Sequence, residues 1–158
     1  MATFERDLRV GASLADTWAF HSTIDGLRSL TPDWLHLRIE DIERPEDGPD
    51  THVLTAGTRI HASVRPFGVG PRQTWVSRIT EREESEESAY FVDVMEDGPF
   101  PEWEHTHLFY ADGDETLIRD RVEYETPVGG VGDDLAGLLL APMFRYRHWR
   151  TRDILGDA

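Results

Sequence analysis

Between residues 35 and 126 the sequence repeats one pattern six times. Short runs place an apolar side chain at every second position, and turn residues interrupt them. Leu35, Leu37 and Ile39 mark the run 35–44, and Ile60, Ala62 and Val64 the run 58–65. Trp75 and Ile79 fall in 73–81, and Phe91 and Met95 in 89–95. The runs 102–111 and 116–126 complete the set. Alternation at period two is the signature of a strand with one buried face, and short turns between such strands build an antiparallel meander. The acidic segment 81–87 reads as a solvated turn, as do Asp47-Gly48-Pro49-Asp50, Gly68-Val69-Gly70-Pro71 and Asp112-Gly113-Asp114.

The two ends read differently. Phe4, Leu8 and Val10 alternate with Glu5 and Asp7, which predicts a first strand. Ser13 with Asp16 three residues on is a helix-opening pattern, leading a segment with Leu14, Trp18 and Ala19. A second short helix fits 24–30, ending before Pro32. The C-terminal stretch 133–155 has helical spacing, with Leu135, Leu138, Leu139, Met143, Tyr146 and Trp149 near one face. Pro142 is expected to start, kink or break this helix. A single meander with one apolar face must be covered, and the terminal helix is the available cover. The expected fold is therefore α+β: a curved seven-stranded antiparallel sheet around a long C-terminal helix, in one domain spanning 1–158.

Composition narrows the function. The net charge is −15, from 31 acidic and 16 basic residues, and all 16 basic residues are Arg. Lys and Asn do not occur. Such a surface stays hydrated by self-repulsion and is the composition expected of a halophilic protein; a GC-rich genome would also favour Arg over Lys, but accounts less directly for the net charge. It opposes nucleic acid, whose phosphates require a basic face, and an anionic membrane surface. No apolar run is long enough for membrane insertion, and the first residues lack a signal-peptide layout, so a cytoplasmic location is expected. With no cysteine, thiolate catalysis, disulfides and Cys-ligated zinc are excluded.

The chemistry-bearing segment is 98–109. On a strand, Trp103, His105, His107 and Phe109 share one face, and the two aromatics bracketing two His mark it as the inner one. On the next strand the inner parity is Ile118, Asp120, Val122 and Tyr124. Asp93 joins the cluster if Phe91, Asp93 and Met95 face inward; the opposite parity would turn it out. A buried carboxylate must be paired, and His105 and His107 are the partners at hand. Three readings are open: a polar network that fixes the sheet's register, a site that hydrogen-bonds a small molecule, and a metal site. His-x-His with a carboxylate suits zinc, iron or manganese, but no second sequence cluster supports it, so no metal or cofactor is assigned. His21, His36, His52, His61 and His148 read as scattered surface or packing residues. Gly129-Gly130-Val131-Gly132 precedes a helix but lacks the Lys of a phosphate loop, and reads as a hinge.

The order of elements resembles the SRPBCC (START-like) superfamily. The segments carrying the likeness are FERDLRVGASLADTWAFHSTIDGLRSLTP, FVDVMEDGPFPEWEHTHLF and TLIRDRVEYETPVGGVG. Within the superfamily they resemble the polyketide cyclase/dehydrase-like ligand-binding branch. The resemblance spans about residues 3–155 and implies a helix-grip fold around a hydrophobic cavity. Fold alone does not choose among the carriers, cyclases and hydrolase activators that share it.

The expectation is noncatalytic binding of a small hydrophobic or aromatic molecule. Trp75, Phe91, Trp103, Phe109, Tyr124 and Met143 would supply contacts, and His105, His107 and Asp120 would orient a polar end. The alternative is a cyclase/dehydratase-type lyase using His105 or His107 with Asp120 or Asp93 as acid and base. A third is a protein-interaction module, which the charged outer strand faces disfavour. A homodimer is compatible with all three.

Overall fold

The computed structural model describes residues 1–45 and 52–157; the expected loop at 47–50 lies outside them. Strand β1, Ala2–Val10, leads to Ser13, whose hydroxyl accepts the Asp16 amide and caps α1, Leu14–His21. Thr23 caps α2, Ile24–Ser29, in the same way. Then come β2 (Arg38–Glu43), β3 (Arg59–Val64), β4 (Gln73–Glu84), β5 (Ser88–Glu96), β6 (Glu102–Asp112), β7 (Glu115–Glu125) and α3 (Gly130–Leu155).

All seven strands form one antiparallel sheet in the order β1-β7-β6-β5-β4-β3-β2. The first strand thus closes against the last, and α3 packs back over β1. The arrangement is a helix-grip fold. The chain ties this closure at both levels: Val10 bridges Asp157, and the Gly11 amide donates to the Gly156 carbonyl.

Two boundaries differ from the sequence reading, each for a local reason. The run 35–44 becomes strand only at Arg38, because Asp33–Leu35 forms a 3-10 turn and His36 adopts a left-handed conformation at φ 49°. The acidic run 81–87 is a turn only over 85–87; β4 continues to Glu84 because Glu81–Glu84 pair with Ala89–Val92 beyond a register shift after Ile79. That shift brings Arg82 onto the inner face, where its guanidinium lies 4.4 Å over the Trp18 ring.

The largest correction concerns α3. Leu135, Leu138 and Leu139 are 58–73% exposed, and Trp149 is 60% exposed. The buried face carries Asp133, Leu140, Phe144, His148 and Thr151 instead. The sheet dictates this choice. Beneath the helix lie Arg6, His105 and Asp120 as well as Phe4, Val122 and Tyr124, so the mixed face fits and the leucine face does not. Pro142 neither starts nor breaks α3, which is continuous through it; Pro142 is exposed, so water can satisfy the backbone carbonyl it leaves unpaired.

Candidate functional site: a buried histidine–aspartate network

Strand register places the chemistry. Arg6 stands opposite Asp120, Asp120 opposite His107, and His107 opposite Phe91. The adjacent row runs Phe4, Val122, His105, Asp93 and Ile79. Asp93 therefore faces inward, the parity that the sequence left open. The bonds run crosswise between the rows. His105 Nε2 donates to Asp120 Oδ1 at 2.8 Å, and His107 Nε2 to Asp93 Oδ2 at 2.7 Å. The two imidazoles stack at 3.6 Å, and Phe91 stacks on the far side of His107 at 3.9 Å.

Two members come from outside the expected set. His148 Nε2 on α3 lies 2.7 Å from Asp120 Oδ2, and Arg6 Nε donates to His148 Nδ1 at 3.1 Å. Because Nδ1 accepts from Arg6, the ring hydrogen of His148 sits on Nε2 and is donated to the carboxylate. Asp120 thus accepts from a strand histidine and from the helix. Spacing carried a signal for both: Leu140, Phe144 and His148 are four apart on α3, and Arg6 shares the parity of Phe4 and Leu8.

Burial and hydrogen bonding compete over the titration of this group. Burial would push both carboxyls upward, but hydrogen bonds from His107 to Asp93, and from His105 and His148 to Asp120, outweigh it. Asp93 is held below the ordinary value and Asp120 well below it. Burial is the largest influence on His107, with neighbouring His105 next, and lowers it to about 4 despite Asp93. The arrangement is two carboxylates bridged by imidazoles. Arg6 reaches it through His148, and the charge of Arg147 on α3 also favours ionised Asp93. A nearby fourth histidine, His21, is buried, and its Nε2 has no hydrogen-bond partner.

The other expected residues divide into sealed and half-open groups. Phe91 and Phe109 are buried against Trp18 of α1. Tyr124 is buried, and its hydroxyl donates to the Asp133 carbonyl, anchoring the start of α3. Trp75, Asp93, Met95, Trp103 and Met143 are only partly buried. Gly98 folds against Met95 and Trp75; a Cβ there would lie 2.9 Å from the Trp75 Cβ, which cannot swing aside as the Met95 sulfur can, so the close approach favours glycine. His52 pairs with Asp25 and His61 with Glu43, both on the exterior. Two shallow surface clefts, about 250 and 200 Å³, lie beside Thr31–Asp33 and beside Trp18 with Glu84–Glu86. The network borders neither of them.

The sheet and the gripping helix have the START-like, helix-grip architecture. The family model described as polyketide cyclase / dehydrase and lipid transport matches residues 10–149, and the chain belongs to that family. Among solved structures it is similar to XoxI from Bacillus cereus at 16% identity and TM-score 0.65, covering 98% of this chain and 96% of that one. A START superfamily protein from Mycobacterium smegmatis aligns at 16% identity and TM-score 0.61 over 96% and 98% of the two chains. The di-domain aromatase/cyclase BexL aligns at 18% identity and TM-score 0.60, over 97% of this chain and 46% of that one. Likenesses this distant establish the fold. No curated protein matches the chain, and no helix among the described residues is long and apolar enough to cross a membrane.

Proposed function

We propose that the protein binds a small, largely hydrophobic or aromatic molecule on the concave face of the sheet, beside α3. One observation carries the reading. The inner face is sealed by α1 at Phe91 and Phe109, and by α3 at Val122. Between these seals, Trp75, Ser77, Asp93, Met95 and Trp103 stay partly exposed. An apolar strip with one carboxylate at its edge suits an aromatic or aliphatic body carrying one hydrogen-bond donor. The family's description, which includes lipid transport, supports the same class of ligand.

Catalysis by His105 or His107 would need a ring nitrogen turned to the bound molecule. Both Nε2–H groups donate to carboxylates and both rings are buried, so toward an apolar ligand the network orients and braces the site. Native mass spectrometry of gently purified protein tests the reading. A copurified apolar compound, released by Trp103→Glu, is the expected result. Protein that arrives bare and takes up no apolar compound from a lipid extract would refute it.

A further inference from the structure

The network contains the donor set of a metal site that sequence spacing did not assign. Asp93, His105 and His107 each offer one ligand atom, and the three atoms lie within 4.8 Å of one another. Asp93 Oδ2 is 2.7 Å from His107 Nε2 and 3.9 Å from His105 Nδ1. A tetrahedral ion with bonds of about 2.1 Å holds its ligands roughly 3.4 Å apart, and these two separations bracket that value. We propose that Asp93 Oδ2, His105 Nδ1 and His107 Nε2 bind one divalent first-row transition metal, with its remaining positions open on the Asp93 side.

The surroundings are those a metal requires. A ligating histidine needs its other ring nitrogen bonded to an oriented acceptor, which fixes the ring and strengthens it as a donor. His105 already gives Nε2–H to Asp120 at 2.8 Å, and its Nδ1, 3.9 Å from Asp93 Oδ2, is the nitrogen that a metal would take. His107 Nδ1 lies 3.6 Å from the same Asp120 oxygen. When a metal takes Nε2, the ring hydrogen of His107 transfers to Nδ1, toward Asp120, with no net proton change. Asp120 is in turn fixed by His148 and, through it, by Arg6. One carboxylate therefore backs both imidazoles, and a helix residue holds it in place. Asp93 is the most accessible of the three, its side chain 16% exposed against 8% and 7% for the histidines, so an ion can enter there. Two imidazoles and a carboxylate suit zinc, iron(II) or cobalt(II) rather than the all-oxygen preference of magnesium or calcium. The site shares Asp93 with the apolar-ligand reading but does not depend on it, since cobalt binding is read with no apolar compound present.

Cobalt(II) is the probe, added to metal-free full-length protein. One cobalt per chain is expected, with visible ligand-field absorption of low coordination number and nitrogen couplings from two imidazoles by pulsed electron paramagnetic resonance. His105→Gln and His107→Gln should each weaken affinity by at least about 100-fold, and Asp120→Asn by about 10–100-fold. His61→Ala, which removes the exterior Asp41–Glu43–His61 group, should change nothing. If a histidine variant fails to fold, the two-imidazole signature in the unaltered protein decides the matter. Cobalt that does not bind, or whose binding survives at His107→Gln and disappears with His61→Ala, would overturn the proposal.

Discussion

His148 of α3 donates its Nε2 hydrogen to Asp120 of β7 at 2.7 Å, and this bond fastens the terminal helix to the middle of the sheet. Both side chains are buried, and the same carboxylate accepts from His105. Removing the charge leaves two buried donors competing for an amide that has one acceptor oxygen. Asp120→Asn should therefore destabilise the fold by about 3–5 kcal/mol, the usual cost of breaking a buried ion pair or its equivalent. Urea unfolding measures this; a loss below about 1 kcal/mol would show that the helix is held by its apolar contacts alone.

His21 makes stability fall in acid. Burial first, then the charge of Arg147 on α3, with His107 on β6 and His148 on α3 contributing, lowers it to about 3; Asp120 on β7 opposes this. An unfolded histidine titrates near 6.5, so below that pH the unfolded chain binds the proton that the fold refuses. The contribution is whole above about pH 6.5 and drains away as pH falls toward about 3. Between pH 7 and about 4.5 it amounts to roughly 2 kcal/mol, and His21→Leu should remove that share of the acid loss. Identical pH slopes in the two proteins would contradict this assignment.

The orientation of α3 has its own test. Leu138 is 73% exposed and Leu140 is 5% exposed, although the two are neighbours of identical chemistry. Leu140→Ala should cost about 2–5 kcal/mol, while Leu138→Ala should stay within about 0.5 kcal/mol. Thermal unfolding of the pair checks it, and the reverse order would put the leucine face back against the sheet.

The charge of −15 predicts a salt effect. Carboxylates crowd the outer faces of β4, β6 and β7, where Glu81, Glu83, Glu104 and Glu123 stand. Raising potassium chloride from about 0.1 M to 1 M shortens the screening length from about 10 Å to 3 Å and relieves their repulsion. The melting temperature should rise across that range; a fall would mean that ion pairs such as Arg119–Asp7 outweigh the repulsion.

The strands were legible because alternation is a local property. So was the inward row Trp103, His105, His107 and Phe109, which needs no knowledge of the partner strand. Asp93 was ambiguous because β5 has apolar residues on both faces: Val92 is buried as well as Phe91. The helix face was misread because its leucines form the more apolar stripe, and only the polar inner sheet beneath selects the other one. His148 and Arg6 were missed for a related reason. Their partners are 28 and 142 residues away, and the network exists only once β1 and α3 have both docked.

The central claim is that the half-open inner strip takes up an apolar molecule. Indole resonances of the five tryptophans, followed by nitrogen-15 NMR during titration with neutral 2-naphthol, test it most directly. Trp75 and Trp103 should shift together and saturably. Shifts confined to the exterior Trp34 and Trp149 would contradict the account.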